Sequence, residues 1–283
     1  MFAGVEPLMA SLALTPPVFA ILSALIEQRA GLHYAPEDRE LLADKVSSRA
    51  LEAGFESLLD YYYFLRYDPA GPEALDALVD ALLVHETYFF RDRLPLEVLV
   101  EQILVPQVRA GQQPRVWCAA CSTGEEPLTL AMMLADCGVL KEVRLVASDL
   151  SQRVLDRARR GEYNLRSMRA LPSGIEGRYL DVVEGRPRVR PELVAAVDWR
   201  RVNLVDAAAI SELGRFDAIL CRNVLIYFQD DMARRVVDSL TQALVPGAPL
   251  VVGTSESLMR FGTALVCEEL RGAFFYVRPK ENP

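Results

Sequence analysis

The chain has 283 residues, 51% apolar and 25% charged, the composition of an ordinary globular protein with room for one substantial α/β domain and a smaller companion. Its net charge of −8 argues against nucleic acid, which needs a basic face, and no apolar run approaches the roughly 20 residues that cross a bilayer. The opening residues, MFAGVEPLMASLALTPP, lack a basic leader and carry Glu6, so no signal peptide is expected; the five scattered cysteines suit reduced, cytoplasmic thiols.

Residues 15–29 combine a helix-start signal with apolar residues at helical spacing and run into Gly31, which predicts a first helix. Residues 36–52 predict a second, with Leu41, Leu42 and Val46 on one side. Residues 55–66, rich in tyrosine, predict a third, and residues 73–84 a fourth. Short helices with brief loops make a small helical domain over residues 1–80, with a linker to about 90, and the DPAGP break at 68–72 separates its third and fourth helices. HETYFFRD follows at 85–92, then an amphipathic helix over about 95–109. Strand 115–120, helix 127–137, strand 143–148 and helix 151–160 then alternate as in a doubly wound α/β sheet. Between 161 and 200 the rhythm breaks, and RYLDVV, EGRP and RVR predict an inserted β-hairpin within about 175–195. Alternation resumes with strands 197–202 and 216–221, helix 230–244 and strand 249–253. A terminal hairpin, 264–270 and 273–277, turns at Arg271 and Gly272.

RVWCAACSTGEEP, at 115–127, reads as a buried strand, a tight loop and a helix start with Pro127 in its first turn. A nicotinamide dinucleotide protein would carry G-x-G-x-x-G here, so that backbone could approach a pyrophosphate. This loop has Gly124 alone, followed by Glu125 and Glu126, which would repel one. A cationic or zwitterionic ligand with an adenosine end fits better, and S-adenosylmethionine is the common example. Asp149 ends the second strand, where an acid suits ribose hydroxyls. Arg222 and Asn223 end the strand 216–221, and Asn203 follows the strand 197–202, so all of these fall at one edge of the sheet. Cys118 and Cys121 form a CxxC that invites a redox or zinc reading. Cys118 lies within a strand, no second pair exists, and His33 and His85 are the only histidines, so no metal site is predicted.

HETYFFRD, VWCAACSTGEEP, ASDLSQRVLDRARRGEYN, FDAILCRNVLIYF and GTSES, in this order and spacing, resemble the CheR family of chemotaxis receptor glutamate methyltransferases, over about residues 15–278. The resemblance implies an α/β, doubly wound Rossmann-like S-adenosylmethionine methyltransferase sheet over 91–283, an all-helical N-terminal domain and a small inserted β-subdomain. It implies S-adenosylmethionine as methyl donor and S-adenosylhomocysteine as product. The acceptors implied are glutamate side chains on the cytoplasmic helices of chemoreceptors, methylated by a cytoplasmic monomer that neither binds nucleic acid nor enters the membrane.

Carried over by motif, Thr87 and Arg91 would stand against the methionine end of the cofactor and the acceptor. Glu125 would face the positive methionine portion, Asp149 the ribose, and Asn203 with Leu204 the adenine. Arg222 and Asn223 would lie beside the sulfonium, and Tyr227 would orient the acceptor, making Arg91 and Tyr227 the catalytic candidates. His85 stands where family members often have asparagine, and it can still donate a hydrogen bond. No general base is needed, because a glutamate side chain, with a pKa of ~4.3, is already ionised at neutral pH. Two docking expectations follow. Lys45 and Arg49, one turn apart on the second helix, would meet the acidic receptor, although Asp38, Glu40 and Asp44 dilute them. The hairpin loop 184–187 is shorter than the form associated with gripping a receptor-tail pentapeptide, so independence from such a tether is expected. A receptor-binding adaptor that keeps the fold without catalysis is the competing class, and intact Arg91, Glu125, Asp149, Arg222 and Asn223 speak against it.

Overall fold

Helix α1 (Pro16–Ala30) begins on two prolines, whose fixed φ suits a first helical turn, and stops at Gly31, where φ is 76°. It opens the first of two units, Met1–Val84 and His85–Pro283, in a computed structural model that describes residues 12–280. Most of the stretch read for a signal peptide, residues 1–11, lies outside the described residues. Helices α2 (Arg39–Glu52), α3 (Leu58–Tyr67) and α4 (Gly71–Leu82) complete the first unit. Leu22, Ile26, Leu42, Val46 and Leu78 are fully buried in it.

Two helix starts differ from expectation for local reasons. The Ser57 hydroxyl accepts from the Asp60 N–H at 3.3 Å, so α3 begins after that cap rather than at Phe55. Phe55 instead packs its ring on Tyr61 and Phe64. Helix α4 begins two residues early, at Gly71, because no side chain has to fit there: a Cβ would meet the carbonyl oxygens of Phe64 and Leu65 at 2.6 Å.

In the second unit α5 (Arg93–Val98) continues through a π-helical stretch, Leu99–Leu104, into α6 (Val105–Arg109). The expected amphipathic helix is present, but Pro106 lacks the N–H that would continue the α ladder, and the winding changes before it. Strand β1 (Arg115–Ala119), α7 (Glu125–Asp136), β2 (Arg144–Asp149) and α8 (Gln152–Arg160) follow. Next come α9 (Glu176–Tyr179), the hairpin strands β3 (Leu180–Val183) and β4 (Arg186–Val189), α10 (Pro191–Ala195) and β5 (Val197–Arg201). The chain closes with α11 (Ala207–Glu212), β6 (Ala218–Cys221), α12 (Asp230–Ala243), β7 (Pro249–Val251), β8 (Val266–Leu270) and β9 (Ala273–Val277).

Seven strands form one sheet in the order β5-β2-β1-β6-β7-β9-β8, and β3-β4 stand apart as the inserted pair. The first five of the seven are parallel, which is why β6 reads as an unbroken apolar run: both faces are covered. On one face Leu128, Leu130 and Leu134 of α7 pack toward Leu145; on the other Val236, Val237 and Leu240 of α12 pack toward Ile219 and Leu250. The terminal hairpin does more than the sequence suggested: Leu250 pairs with Tyr276, so β9 joins the main sheet antiparallel to β7 and β8 adds beyond it, antiparallel to β9. Register pairs Ala119 with both Ser148 and Cys221, so the carboxyl ends of β1, β2 and β6 finish level. Strand order reverses between β2-β1 and β6, which opens the crevice where such sheets bind ligands.

Candidate active site

The loop after β1 is wound tightly. Ala120, Ser122 and Gly124 have φ of 54°, 51° and 90°, and the Cys121 N–H donates to the Ser148 carbonyl at 2.8 Å. Asp149 ties this loop to the next one: its Oδ2 accepts from the Ser122 N–H at 2.8 Å and its Oδ1 from the Ser151 N–H at 3.0 Å. Gly124 is needed for packing, since a Cβ would lie 2.8 Å from both Ala158 Cβ and the Trp199 ring. That space is filled by side chains of α8 and β5, so glycine is required here by packing as well as by its backbone conformation.

Glu125, the first residue of α7, is 1% exposed. Its Oε2 accepts from the Thr123 hydroxyl at 2.6 Å and its Oε1 from the Ser167 hydroxyl at 2.9 Å. Burial pushes its pKa up, and those hydrogen bonds, with Arg157 nearby, draw it partly back. Ser167 also accepts at its carbonyl from the Phe89 N–H, and the buried Tyr163 hydroxyl donates to the Thr123 carbonyl at 2.7 Å. Neither residue stood out in the sequence, since each is distant in the chain and neither type signals chemistry alone.

The 85–92 segment is fastened from the far side of the crevice. Arg222, its side chain 2% exposed, donates through Nη1 to Glu126 at 2.7 Å, and through Nη2 to the Arg91 carbonyl and Asp92 Oδ2, both at 3.1 Å. Asp92, the residue before α5, has φ of 45°, and Phe90, at φ 60°, donates its N–H to the Thr129 hydroxyl. Arg91 does not pair with the neighbouring carboxylates: Glu86 is held by Arg169 and Asp92 by Arg222, while Arg91 Nη1 donates to the Glu86 carbonyl at 2.8 Å. Tyr227 is half-buried at the end of the turn Leu225–Tyr227. Burial raises its pKa, Arg91 lowers it and Glu256 raises it, so the two catalytic candidates lie within each other's electrostatic reach and the phenol is neutral at physiological pH.

Asn223 takes φ of 60° directly after Arg222, and its N–H donates to Glu256 at 2.6 Å. Asn203 Oδ1 accepts from the Val205 N–H, and Leu204 is buried beside it. His85 and Thr87 are half-buried at the head of the 85–92 segment. Five of the seven non-glycine residues with positive φ, Phe90, Asp92, Ala120, Ser122 and Asn223, belong to the segments that meet here, and each costs about 1–3 kcal/mol that the surroundings must hold in place. Ser122 Oγ and Arg222 Nε are buried with no hydrogen-bond partner among the described residues. Burial with no partner costs about 1–3 kcal/mol per group, so both point to a polar ligand.

Outside this crevice, Lys45 donates to the Leu82 carbonyl at 3.5 Å and Arg49 pairs with Glu52 at 2.9 Å, so neither presents a wholly uncommitted charge. The CxxC thiols are free and buried, and burial pushes both pKa values well up. A reactive cysteine needs the opposite shift.

The family model described as "CheR methyltransferase, all-alpha domain" matches residues 17–83, and the one described as "CheR methyltransferase, SAM binding domain" matches residues 85–272. The chain is 31% identical over 261 residues to "Chemotaxis protein methyltransferase 2" of Vibrio cholerae, covering 90% of each protein. It is 34% identical over 250 residues to "Chemotaxis protein methyltransferase 1" of Pseudomonas aeruginosa, covering 85% of this chain and 90% of that protein. To "Chemotaxis protein methyltransferase" of Salmonella typhimurium it is 35% identical over 282 residues, covering 96% and 93%.

Proposed function

Because this chain belongs to the CheR methyltransferase family, we propose that the rim formed by the ends of β1, β2 and β6 is where a chemoreceptor glutamate receives its methyl group. The enzyme is an S-adenosylmethionine-dependent protein-glutamate O-methyltransferase of chemotaxis signalling. Its cofactor supplies the methyl on a positively charged sulfur that leaves readily. The convergence of loops from three adjacent strands, lined by acids and containing two buried polar atoms without partners among the described residues, carries this reading.

Each residue then has a task. Asp149, already oriented by the Ser122 and Ser151 amides, accepts from the ribose hydroxyls. Glu125 bears on the positive methionine portion, its carboxylate fixed by Thr123 and Ser167. Asn203 and Leu204 flank the adenine, and His85 and Thr87 line the amino-acid end. Arg222 and Asn223 border the methyl end, with Arg222 acting through Asp92 and Glu126 as the clamp that holds the 85–92 segment. Arg91 can hold a carboxylate through two parallel N–H donors, and the neutral Tyr227 hydroxyl can donate to the acceptor and fix its orientation. No proton has to be removed from an acid whose ordinary pKa is ~4.3. The residues contribute alignment and exclusion of water, effects that reach roughly 7–11 kcal/mol in the best intramolecular reactions.

The acceptors in this reading lie on cytoplasmic receptor helices and the enzyme works there as a monomer, docking in part through Lys45 and Arg49. Mass spectrometry of candidate receptors incubated with the enzyme and methyl-labelled cofactor tests the reading: labelled glutamyl esters are expected, and their absence on every receptor of the host would end it.

A further inference from the structure

Glu256 lies between β7 and the helical turn Met259–Phe261, and none of the roles above uses it. Its Oε2 accepts from the Asn223 N–H at 2.6 Å and the Gly253 N–H at 2.7 Å, and its Oε1 accepts from the Leu225 N–H at 2.8 Å. Hydrogen bonds to an ionised acceptor are about twice as strong as neutral ones. Two of the three reach into the loop after β6, while the third closes on the side chain's own segment. The carboxylate is therefore a fixed post between the ends of two neighbouring strands. The packing around it leaves no slack: a Cβ at Gly253 would stand 2.5 Å from Asn223 Nδ2 and 2.8 Å from Glu256 Oε2. What this post holds is a strained stretch, with Asn223 in the left-handed region and Leu225 opening the turn that ends at Tyr227.

We propose that Glu256 is a positioning residue for methyl transfer, setting the backbone that carries Asn223 and Tyr227 to the crevice; this rests on the assignment of those two residues made above. The cofactor contacts assigned to the ends of β1 and β2 do not pass through Glu256. Loosening the loop therefore misaligns the methyl and acceptor end and leaves the nucleoside end in place. The signature is a fall in turnover with cofactor affinity kept.

Two variants perturb the same contact from opposite sides. Glu256→Gln keeps the shape but sets an NH2 donor against one of three N–H donors. Gly253→Ala keeps the carboxylate and pushes Asn223 from it. Each is expected to lower kcat for receptor methylation about 10- to 100-fold, since misplacement by about 1 Å costs that much. The calorimetric Kd for S-adenosylhomocysteine should stay within about threefold of the parent, with a single cooperative melt. Parental turnover in either folded variant, or a loss of affinity equal to the loss of kcat, overturns the proposal. Should the parent itself methylate no receptor, the functional reading falls separately. Amide hydrogen exchange at Asn223 and Leu225 then decides the matter: Glu256→Gln should speed it about tenfold or more, and unchanged exchange refutes the post.

Discussion

Asp149 orients the loops after β1 and β2 and, in the proposed role, also faces the sugar, so Asp149→Ala should raise the Kd for S-adenosylhomocysteine at least about tenfold, roughly the loss of one charged hydrogen bond. Calorimetry showing parental affinity would remove Asp149 from the ribose. Glu125 yields a pH prediction with a definite sign. Its folded-state pKa is raised by burial, so the folded protein holds that proton more tightly than the unfolded chain does. The stabilisation is present below the usual glutamate value and is lost as pH rises through the folded value. Glu125→Gln has no such titration, so its melting temperature relative to the parent should climb as pH rises from about 4; a constant difference across that range would refute the assignment. Asp149, Glu125 and Asn223 stood out as candidates because Asp149 ends an apolar strand and the other two come within a few residues of the end of one. Ser167, Tyr163 and Glu256 were not, because they reach their partners across 42, 40 and 33 residues, and only the folded chain brings those ends together.

At the scale of elements, the strands of the sheet centre and the helices between them could be read because fully buried strands are apolar throughout, whereas pairing between distant segments leaves no periodic trace. Thus β8 and β9 were visible as a hairpin but not as part of the main sheet. Gly124 tests the loop that joins β1 to α7. It combines φ of 90° with a Cβ position 2.8 Å from Ala158 and Trp199, so Gly124→Ala should destabilise by about 2–4 kcal/mol in denaturant unfolding, strain and overpacking together. Gly138, at φ 71° with nothing within 4 Å, is the control, and alanine there should cost only about 1 kcal/mol. Equal losses would mean that packing contributes nothing at Gly124. The inserted hairpin turns through Glu184 and Gly185 alone, with φ of 51° and 74°, the two-residue form in which both central residues are left-handed. A loop this short offers little backbone to grip a tail. Deleting a receptor's terminal pentapeptide should leave the methylation rate within about twofold, and micromolar binding of the free peptide to the enzyme would overturn that expectation.

Across the whole molecule, every residue assigned to the crevice lies within the second unit, and both hydrophobic clusters around its sheet are built only from residues at Phe89 and beyond. A unit with its own complete core can fold without its neighbour. The first unit holds the helix that carries Lys45 and Arg49, so the residues proposed for docking and those proposed for the cofactor fall in different units of the chain. Residues 85–283 produced alone should therefore bind S-adenosylhomocysteine within about threefold of the full chain, the affinity resting on contacts that survive intact. In the full chain, reversing both charges with Lys45→Glu and Arg49→Glu should lower receptor methylation about 3- to 10-fold, an effect that weakens as added salt screens it, and leave that affinity unchanged. A cooperatively folded 85–283 fragment that fails to bind would show that the first unit contributes to the cofactor site. A double charge reversal that methylates receptors at the parental rate would take α2 out of docking.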